Sequence, residues 1–544
     1  MRVLVALSSL SLCLALLACS DQSQREADLG ADEAAPSGSL VSSSGSGARG
    51  VASEDELAGT ETFVTAAPAG AVVLPATGLV ENVLVVSIDT LRWDRLECYG
   101  YPRPTSPNLA SIASRGVVFE EARTQAPQTA PAHASLFSSS YPAVHRVINV
   151  HGPTPQLFQL PSGLTTLAEL LSEADIETGA FVSGGNLTRR MAMDRGFQTW
   201  DEELTDISDR INRCVRWMLA PERGRFFAFL HTYQVHAPYL PPREWYEVFA
   251  DPAYEGPLRS RTEKYLDMET KEAWEAATGP AYWEGMLSYD DADVAFLSSL
   301  YDGEIRYVDG ELRRLWEYLL NAGLLRNTAV IFLSDHGEEF RDHGKYQHDQ
   351  VYEELLHVPL IVRLPPDLER EGYRGRVDEV VELIDVAPTV ADLMGVASSE
   401  ASWSGRSLVG LLSSAGSDAS TQQGSVTDGR EVDRPTFSEL VIDPGPKYHR
   451  TVRWRGWKYI HIWQKDIDHT WEYLFHLSDD PRERHNLIDS AEQEPQRVLT
   501  ALRQLLEERS VANAEEAERV GPGGAAEIDD DMLELMLKLG YVGK

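Results

Sequence analysis

At 544 residues, 43% of them hydrophobic and 9% aromatic, the chain has an ordinary globular composition and exceeds what one compact core usually supports. Wholesale disorder is excluded, and one large domain with a smaller one appended, or two domains, is implied. The 49 basic and 85 acidic residues leave a formal net charge of -36, with no basic run to interrupt it, so nucleic-acid binding is excluded as a function class.

In chain order, Met1 and Arg2 precede a hydrophobic run from Val3 to Ala18, of signal-peptide length and shorter than the roughly 20 residues a spanning helix needs. The run ends in Leu16-Leu17-Ala18-Cys19, which resembles the lipobox of bacterial lipoproteins, where the cysteine becomes the lipidated first residue. That resemblance implies a signal peptide over 1–19, export, and a lipid on Cys19 that holds the protein to a bacterial membrane. Ser20, in place of an aspartate, favours the outer membrane, facing the periplasm or the cell surface. A simple cleaved signal peptide is the alternative, and it also implies export. From 20 to about 80 the chain is Ser, Gly, Ala and acidic residues, too poor in large apolar groups to offset the entropy of folding, and reads as a flexible tether. Of the four cysteines, Cys13 and Cys19 belong to the leader. Cys98 and Cys214 remain, which make no disulfide framework and read as buried free thiols.

Order begins at Asn82. Val83 to Ile88 is an apolar run of buried-strand length, and similar runs recur at 179–182, 226–230, 329–333 and 360–362. Helical patterns lie between them, at 164–173 and most clearly where Ile305, Val308, Leu312, Leu315 and Leu319 form one apolar stripe. Alternating strands and helices predict an α/β fold, a large and mostly parallel sheet covered by helices on both faces, with ligands at the carboxyl ends of the strands. The main domain is expected over 81–412. Within it, 243–299 interrupts the rhythm with acidic and aromatic residues, either as a lid or as a surface excursion anchored by its aromatics. A low-complexity loop at 413–430 leads to a C-terminal piece, 431–510, where Trp457 to Ile460 and the turn at Asp479-Asp480-Pro481 suggest a small antiparallel sheet. A tail, 511–544, follows.

Three polar clusters sit directly after predicted strands: Asp89 to Asp94, Ser334 to Glu339, and His231 with His236. Asp89, Asp335 and His336 would offer a divalent cation two carboxylates and an imidazole, a mixed set that suits zinc, manganese or iron at least as well as calcium. Alone, each has a bland reading as a helix cap or a hydrogen-bonded histidine. Three clusters on three strand ends favour a site.

These clusters belong to longer ordered blocks: NVLVVSIDTLRWDRLECYGY from 82, TSPNLASIASRGVVFEEA from 105, FLSDHGEEF from 332, YEELLHVPLIVRLP from 352, LIDVAPTVADLMGV from 383 and YLFHLSDDPRERHNL from 473. With them, and with the closing LKLGYV, the chain resembles the sulfatase family of the alkaline phosphatase superfamily from about Asn82 to Leu487. The resemblance implies the alkaline-phosphatase-like fold, a metal-dependent ester hydrolase and a nucleophile at the start of a helix.

Sulfatases carry Cys or Ser, then Pro two residues on and Arg two further, then small residues and Tyr-Pro; the Cys or Ser becomes formylglycine. TAPAHASLFSSSYP, from residue 129, puts Thr129 at the nucleophile, Pro131 at the proline and His133 at the arginine. Oxidation of threonine would give a ketone, so formylglycine is ruled out. Thr129 is instead read as a direct nucleophile whose hydroxyl is activated by one divalent ion (calcium, manganese or zinc) held by Asp89, Thr129, Asp335 and His336. An N-cap hydroxyl is the other role open to it.

Other positions depart from the family. Thr90 replaces the second aspartate of an Asp-Asp pair, and FVSGGNL, from 181, replaces the segment that carries a lysine and a histidine. His348 stands at the position of a further family lysine. By resemblance His236 assists the leaving group as a catalytic residue, while His133 and His348 bind substrate oxygens or a second metal; His343 and His357 read as structural. The expected activity is hydrolysis of sulfate or phosphate esters of a small molecule, glycan or lipid, with phosphoesters favoured on chemistry. Two alternatives are phosphoryl transfer to a sugar or lipid acceptor, and a degenerate lipoprotein that binds an anionic partner without catalysis.

Overall fold

The computed structural model describes residues 78–150, 156–266, 268, 288–399, 401–414, 434–442, 446–526 and 528. The expected leader with Cys13 and Cys19, nearly all of the tether, the middle of the 243–299 segment, most of the 413–430 loop and the stretch from Leu537 to Val542 lie outside the described residues. Among the described residues no helix is long and apolar enough to cross a membrane. Cys98 and Cys214 are both free; Cys214 is buried and Cys98 only partly so.

The apolar runs become an eight-stranded sheet. Its strands are β1 (Asn82–Ile88), β2 (Val117–Arg123), β3 (Glu177–Phe181), β4 (Thr199–Asp201), β5 (Phe226–Thr232), β6 (Thr328–Leu333), β7 (His357–Arg363) and β8 (Gly375–Glu382), in the spatial order β8-β2-β7-β6-β1-β5-β3-β4. Only β7 runs against its neighbours; the other pairs are parallel. The runs are continuous rather than alternating because both faces are covered. Along β1, Val83 and Val85 join a core shared with helices α2 (Thr129–Ser138), α3 (Leu167–Glu173) and α6 (Val386–Leu393). Leu84, Val86 and Ile88 join the opposite core, with α1 (Pro107–Ala113), α4 (Ile207–Met218) and α5 (Asp291–Asn321). Each such buried aliphatic side chain stabilises the fold by roughly 1.5–3 kcal/mol. This mixed, mostly parallel sheet between helical layers is the architecture expected from the sequence.

The stripe from Ile305 to Leu319 is the inner face of α5, which starts much earlier, at a capping box between Asp290 and Asp293. In the described parts of 243–299, Tyr246 and Tyr254 are buried against Phe296 of α5, and Tyr254 stacks on it at 4.0 Å.

The C-terminal piece is a four-stranded antiparallel sheet, β9 (Thr436–Ile442), β10 (Lys447–Trp454), β11 (Trp457–Gln464) and β12 (His469–His476), followed by α7 (Gln493–Val520). The helix runs through the boundary drawn at residue 510, so the expected tail begins inside it. One face of the sheet, with Val452, Tyr459 and Leu474, shares a core with Leu499 and Leu502 of α7. The other, with Leu440, Ile460 and Phe475, packs on Val351 and Leu356 of the segment that joins β6 to β7. Lys458, buried at the base of that face, is ion-paired to Glu353 at 3.0 Å and to Glu483 at 2.9 Å, and Arg123 reaches Glu353 at 2.8 Å. The small sheet is thereby clamped to the segment that carries much of the site.

Candidate active site

The parallel register of β1 places Ser87 opposite His231 of β5 and Leu333 of β6, so three neighbouring strands end together. Just beyond those ends lie Asp89, Asp335 and His336. All three are buried, and each offers a ligand atom within 4.8 Å of the others. The backbone there is pinned by Ser334, whose hydroxyl lies 2.7 Å from the carbonyl oxygens of Ile88 and His336 and accepts from the Leu91 amide at 2.9 Å. Thr90 turns the chain away with φ 57°, unfavourable for a β-branched residue, and its amide donates to Asp335 Oδ1 at 3.3 Å.

Thr129 is the first residue of α2, one position after the cap residue Gln128. Its Oγ1 donates to Asp89 Oδ2 at 3.1 Å, and His231 Nε2 lies 3.1 Å from the same oxygen. Among the described residues no hydrogen bond reaches Asp89 Oδ1, Asp335 Oδ2 or His336 Nε2. His336 Nε2 lies 3.4 Å from Asp335 Oδ2 and 4.0 Å from Asp89 Oδ1. His336 Nδ1 is engaged with the Gly337 carbonyl at 2.9 Å, which leaves Nε2 turned toward the two carboxylates. Burial pushes the Asp89 carboxyl up to about 7, and burial followed by repulsion from Asp89 raises Asp335 well above the carboxylate range. Burial likewise holds His336 well below its ordinary value, as a neutral imidazole. Two carboxylates and a neutral imidazole with bare, converging atoms fit a divalent cation, whose charge would keep both carboxylates ionised.

His133, one turn along α2, is buried, with Nε2 3.0 Å from Ser87 Oγ and Nδ1 2.8 Å from the Thr129 carbonyl oxygen. Nδ1 also lies 3.5 Å from Asp335 Oδ2. Both ring nitrogens thus face protein atoms, and the ring ties α2 to β1 beneath Thr129. His236 has Nδ1 2.7 Å from the Ala237 carbonyl oxygen, and its ring meets that of His348 edge-on at 5.3 Å. His348 in turn lies 4.6 Å from the His336 ring. Its Nδ1 is 3.3 Å from Glu338 Oε1. Burial opposes a charge on His348, but the hydrogen bond and attraction to Glu338 outweigh it and raise its pKa. Glu338, a residue of the second cluster without an assigned role, is therefore the partner that favours the protonated form of His348.

A second group, Glu339, His343 and Glu354, also has metal-like spacing. Its atoms are already used: His343 Nδ1 meets Glu354 at 2.6 Å, while Glu339 accepts from the amides of His343 and Lys345 and from Gln350. His357 is engaged with the Glu120 carbonyl at 2.8 Å and stacks on Trp93.

Against this geometry stand the comparisons with known proteins. A sulfatase family model matches residues 81–396, and a model for the C-terminal region of N-sulphoglucosamine sulphohydrolase matches 341–512. The chain belongs to the sulfatase family, hydrolases of the alkaline phosphatase superfamily. It is 23% identical to an N-acetylglucosamine-6-O-sulfatase of Bacteroides thetaiotaomicron, over 78% of this chain and 86% of that one. Among solved structures it resembles the phosphonate monoester hydrolase of Agrobacterium radiobacter, with TM-score 0.59, 20% identity, and 79% and 96% of the two chains covered. It also resembles BT4656 in complex with its substrate D-glucosamine-2-N,6-O-disulfate, with TM-score 0.62, 19% identity, and 81% and 99% covered.

Proposed function

We propose that the protein hydrolyses anionic esters, phosphoesters in preference to sulfate esters, through Thr129 as a direct nucleophile. The observation that carries this reading is the Thr129 hydroxyl, placed at a helix start and donating at 3.1 Å to a carboxylate of the Asp89, Asp335 and His336 triad. A divalent cation bound by those three would lower the pKa of the Thr129 hydroxyl and neutralise a nonbridging oxygen of the ester.

The chain's own residues account for the proton movements. Thr129 Oγ1 forms a bond to phosphorus as the bond to the leaving oxygen breaks, and its proton passes to Asp89 Oδ2. The departing alkoxide takes a proton from His236, which recovers one from the water that then attacks phosphorus, and Oγ1 takes its proton back from Asp89 as the phosphothreonine is cleaved. His348, whose protonated form Glu338 favours, would offer positive charge to the ester oxygens. Threonine supports phosphoesters because a phosphothreonine remains open to in-line attack by water, whereas a sulfothreonine lacks the second hydroxyl with which a formylglycine hydrate expels sulfate. The names of the relatives, sulfatases and phosphonate monoester hydrolases, are compatible with either ester. Export and a lipid anchor at Cys19 form part of the same proposal and rest on the leader sequence alone.

The test is turnover of 4-nitrophenyl phosphate, bis(4-nitrophenyl) phosphate and 4-nitrophenyl sulfate with manganese, zinc or calcium added, together with mass spectrometry of the quenched enzyme. A phosphate adduct on Thr129 supports the reading, and sulfate turnover that survives Thr129→Ala overturns it.

A further inference from the structure

The loop that carries His236 leaves β5 after Thr232. Its start is tied to the site: the Tyr233 ring meets those of His231 at 4.8 Å and His236 at 5.7 Å, and the Tyr233 hydroxyl accepts from the Asn186 amide at 3.1 Å. Two bonds fix His236 within the loop itself. Its amide donates to the Tyr233 carbonyl at 2.8 Å, and its Nδ1 lies 2.7 Å from the Ala237 carbonyl oxygen. The ring therefore goes where the loop goes. One flank of the loop borders a cleft of about 540 Å³, lined by Tyr233, Gln234, Pro238 and Leu240 together with Leu204, so packing alone does not hold that flank.

The loop is held instead by Glu304, from the middle of α5. One of its carboxylate oxygens accepts from Gln234 Nε2 at 2.9 Å and the other from the Leu240 amide at 2.8 Å. A single side chain thus bridges the loop on both sides of His236. Gly303 lets α5 come this close, since a Cβ there would lie 2.9 Å from Pro241 Cβ. Glu304 is 1% exposed, and among the described residues it has no cationic partner. Burial pushes its carboxyl up to about 8, and the two donors on the loop oppose that rise. A buried carboxyl without a counter-ion costs stability, and the two loop donors are what it serves here. One turn earlier on α5, Tyr301 donates to the Thr90 carbonyl at 2.7 Å and accepts from the Arg92 amide at 2.8 Å. Residues three apart share a helix face, so one face of α5 braces both the segment after Asp89 and the loop of His236.

We propose that Glu304 is a positioning residue for His236, fixing through Gln234 and Leu240 the loop from which the leaving oxygen takes its proton. The proposal rests on the ester-hydrolase reading for the proton transfer, whereas the bracing of the loop stands apart from it.

The test compares 4-nitrophenyl phosphate, whose leaving anion needs little protonation, with phenyl phosphate, whose more basic anion needs more. Glu304→Leu removes both acceptors and should lower kcat on phenyl phosphate about tenfold or more beyond its effect on 4-nitrophenyl phosphate, with KM for both within about twofold of the parent. Glu304→Gln, whose oxygen can serve Leu240 and whose nitrogen a turned-over Gln234, should recover most of the loss. Gln234→Ala, at a partly buried position, cuts one of the two bonds. It should shift the two esters in the same direction by less, and it carries the test if Glu304→Leu does not fold. Added to His236→Ala, Glu304→Leu should leave the ratio of the two esters where the single variant puts it. Hydrogen exchange across 233–240 should be about tenfold or more faster in Glu304→Leu, with β5 unchanged. Equal losses on the two esters, a loss carried by KM, or unchanged exchange in the loop overturns the proposal. If the parent turns over no phosphate ester, the hydrolase reading fails, and faster exchange confined to the loop still supports the brace.

Discussion

Thr129 and Asp89 are 40 residues apart in sequence and meet at 3.1 Å, the first at the start of α2 and the second at the end of β1. Removing the hydroxyl should remove the reaction without disturbing the fold. Thr129→Ala is expected to lower kcat by at least about 10³-fold, whereas Thr129→Ser, which keeps an alcohol, should stay within about tenfold of the parent. Steady-state kinetics on a phosphate diester decide this, and equal losses in the two variants would exclude a nucleophilic role.

The bare atoms of Asp89, Asp335 and His336 predict a tight divalent cation site. Stoichiometric metal should be found in the purified protein, and Asp335→Asn should abolish it. His231→Phe, which removes the contact to Asp89 Oδ2, should cost about 10–100-fold in affinity. A cation at 100 times its Kd should stabilise the fold by about 2.7 kcal/mol, visible as a rise in Tm that chelation reverses.

Lys458 sits between Glu353 and Glu483 in a buried ion cluster. Its charge, with that of Arg123, keeps Glu353 ionised, while burial raises Glu483 to about 7. Lys458→Met leaves the carboxylates uncompensated, so a loss of about 3–5 kcal/mol is expected in denaturant unfolding. Replacing Glu353 and Glu483 by glutamine in the same protein should recover much of it.

His145 is buried, accepts from the Val147 amide and meets Ser135 Oγ at 2.9 Å; burial pushes its pKa down to about 3. Between that value and about 6.5 the unfolded chain takes up a proton that the folded chain does not. Its contribution is thus whole above about pH 6.5 and declines as the pH falls toward 3, by roughly 1.4 kcal/mol per unit. Urea unfolding at pH 7, 6 and 5 should show this slope, and His145→Gln should flatten it by that amount. An unchanged slope would mean that other groups set the acid limit.

Much of this was readable in the residues. The runs from Val83, Phe226 and Ala329 are the three adjacent central strands, and a polar cluster at the end of each led to Asp89, His231 and Asp335. What the sequence could not display is adjacency. Glu338 and His348 are ten residues apart in an irregular segment with no periodicity to relate them. Thr129 was placed by the order of Pro131, Tyr141 and Pro142 around it. Its hydroxyl engages Asp89, a partner that no local pattern reveals.

The reversed direction of β7 bears on how such a site diversifies. β6 leaves the sheet and β7 re-enters it at the same end of the strands, so the chain from Ser334 to Leu356 departs from and returns to the candidate site. It bears Asp335 and His336 at its outset, the His348 and Glu338 couple midway, and the anchor for the small sheet near its end. Its two ends are fixed by strand pairing, and lengthening a loop costs only slowly in entropy. Insertions and substitutions between Arg341 and Gln350 are thus a route by which descendants of this chain exchange one ester for another while the pairing of the sheet stays the same.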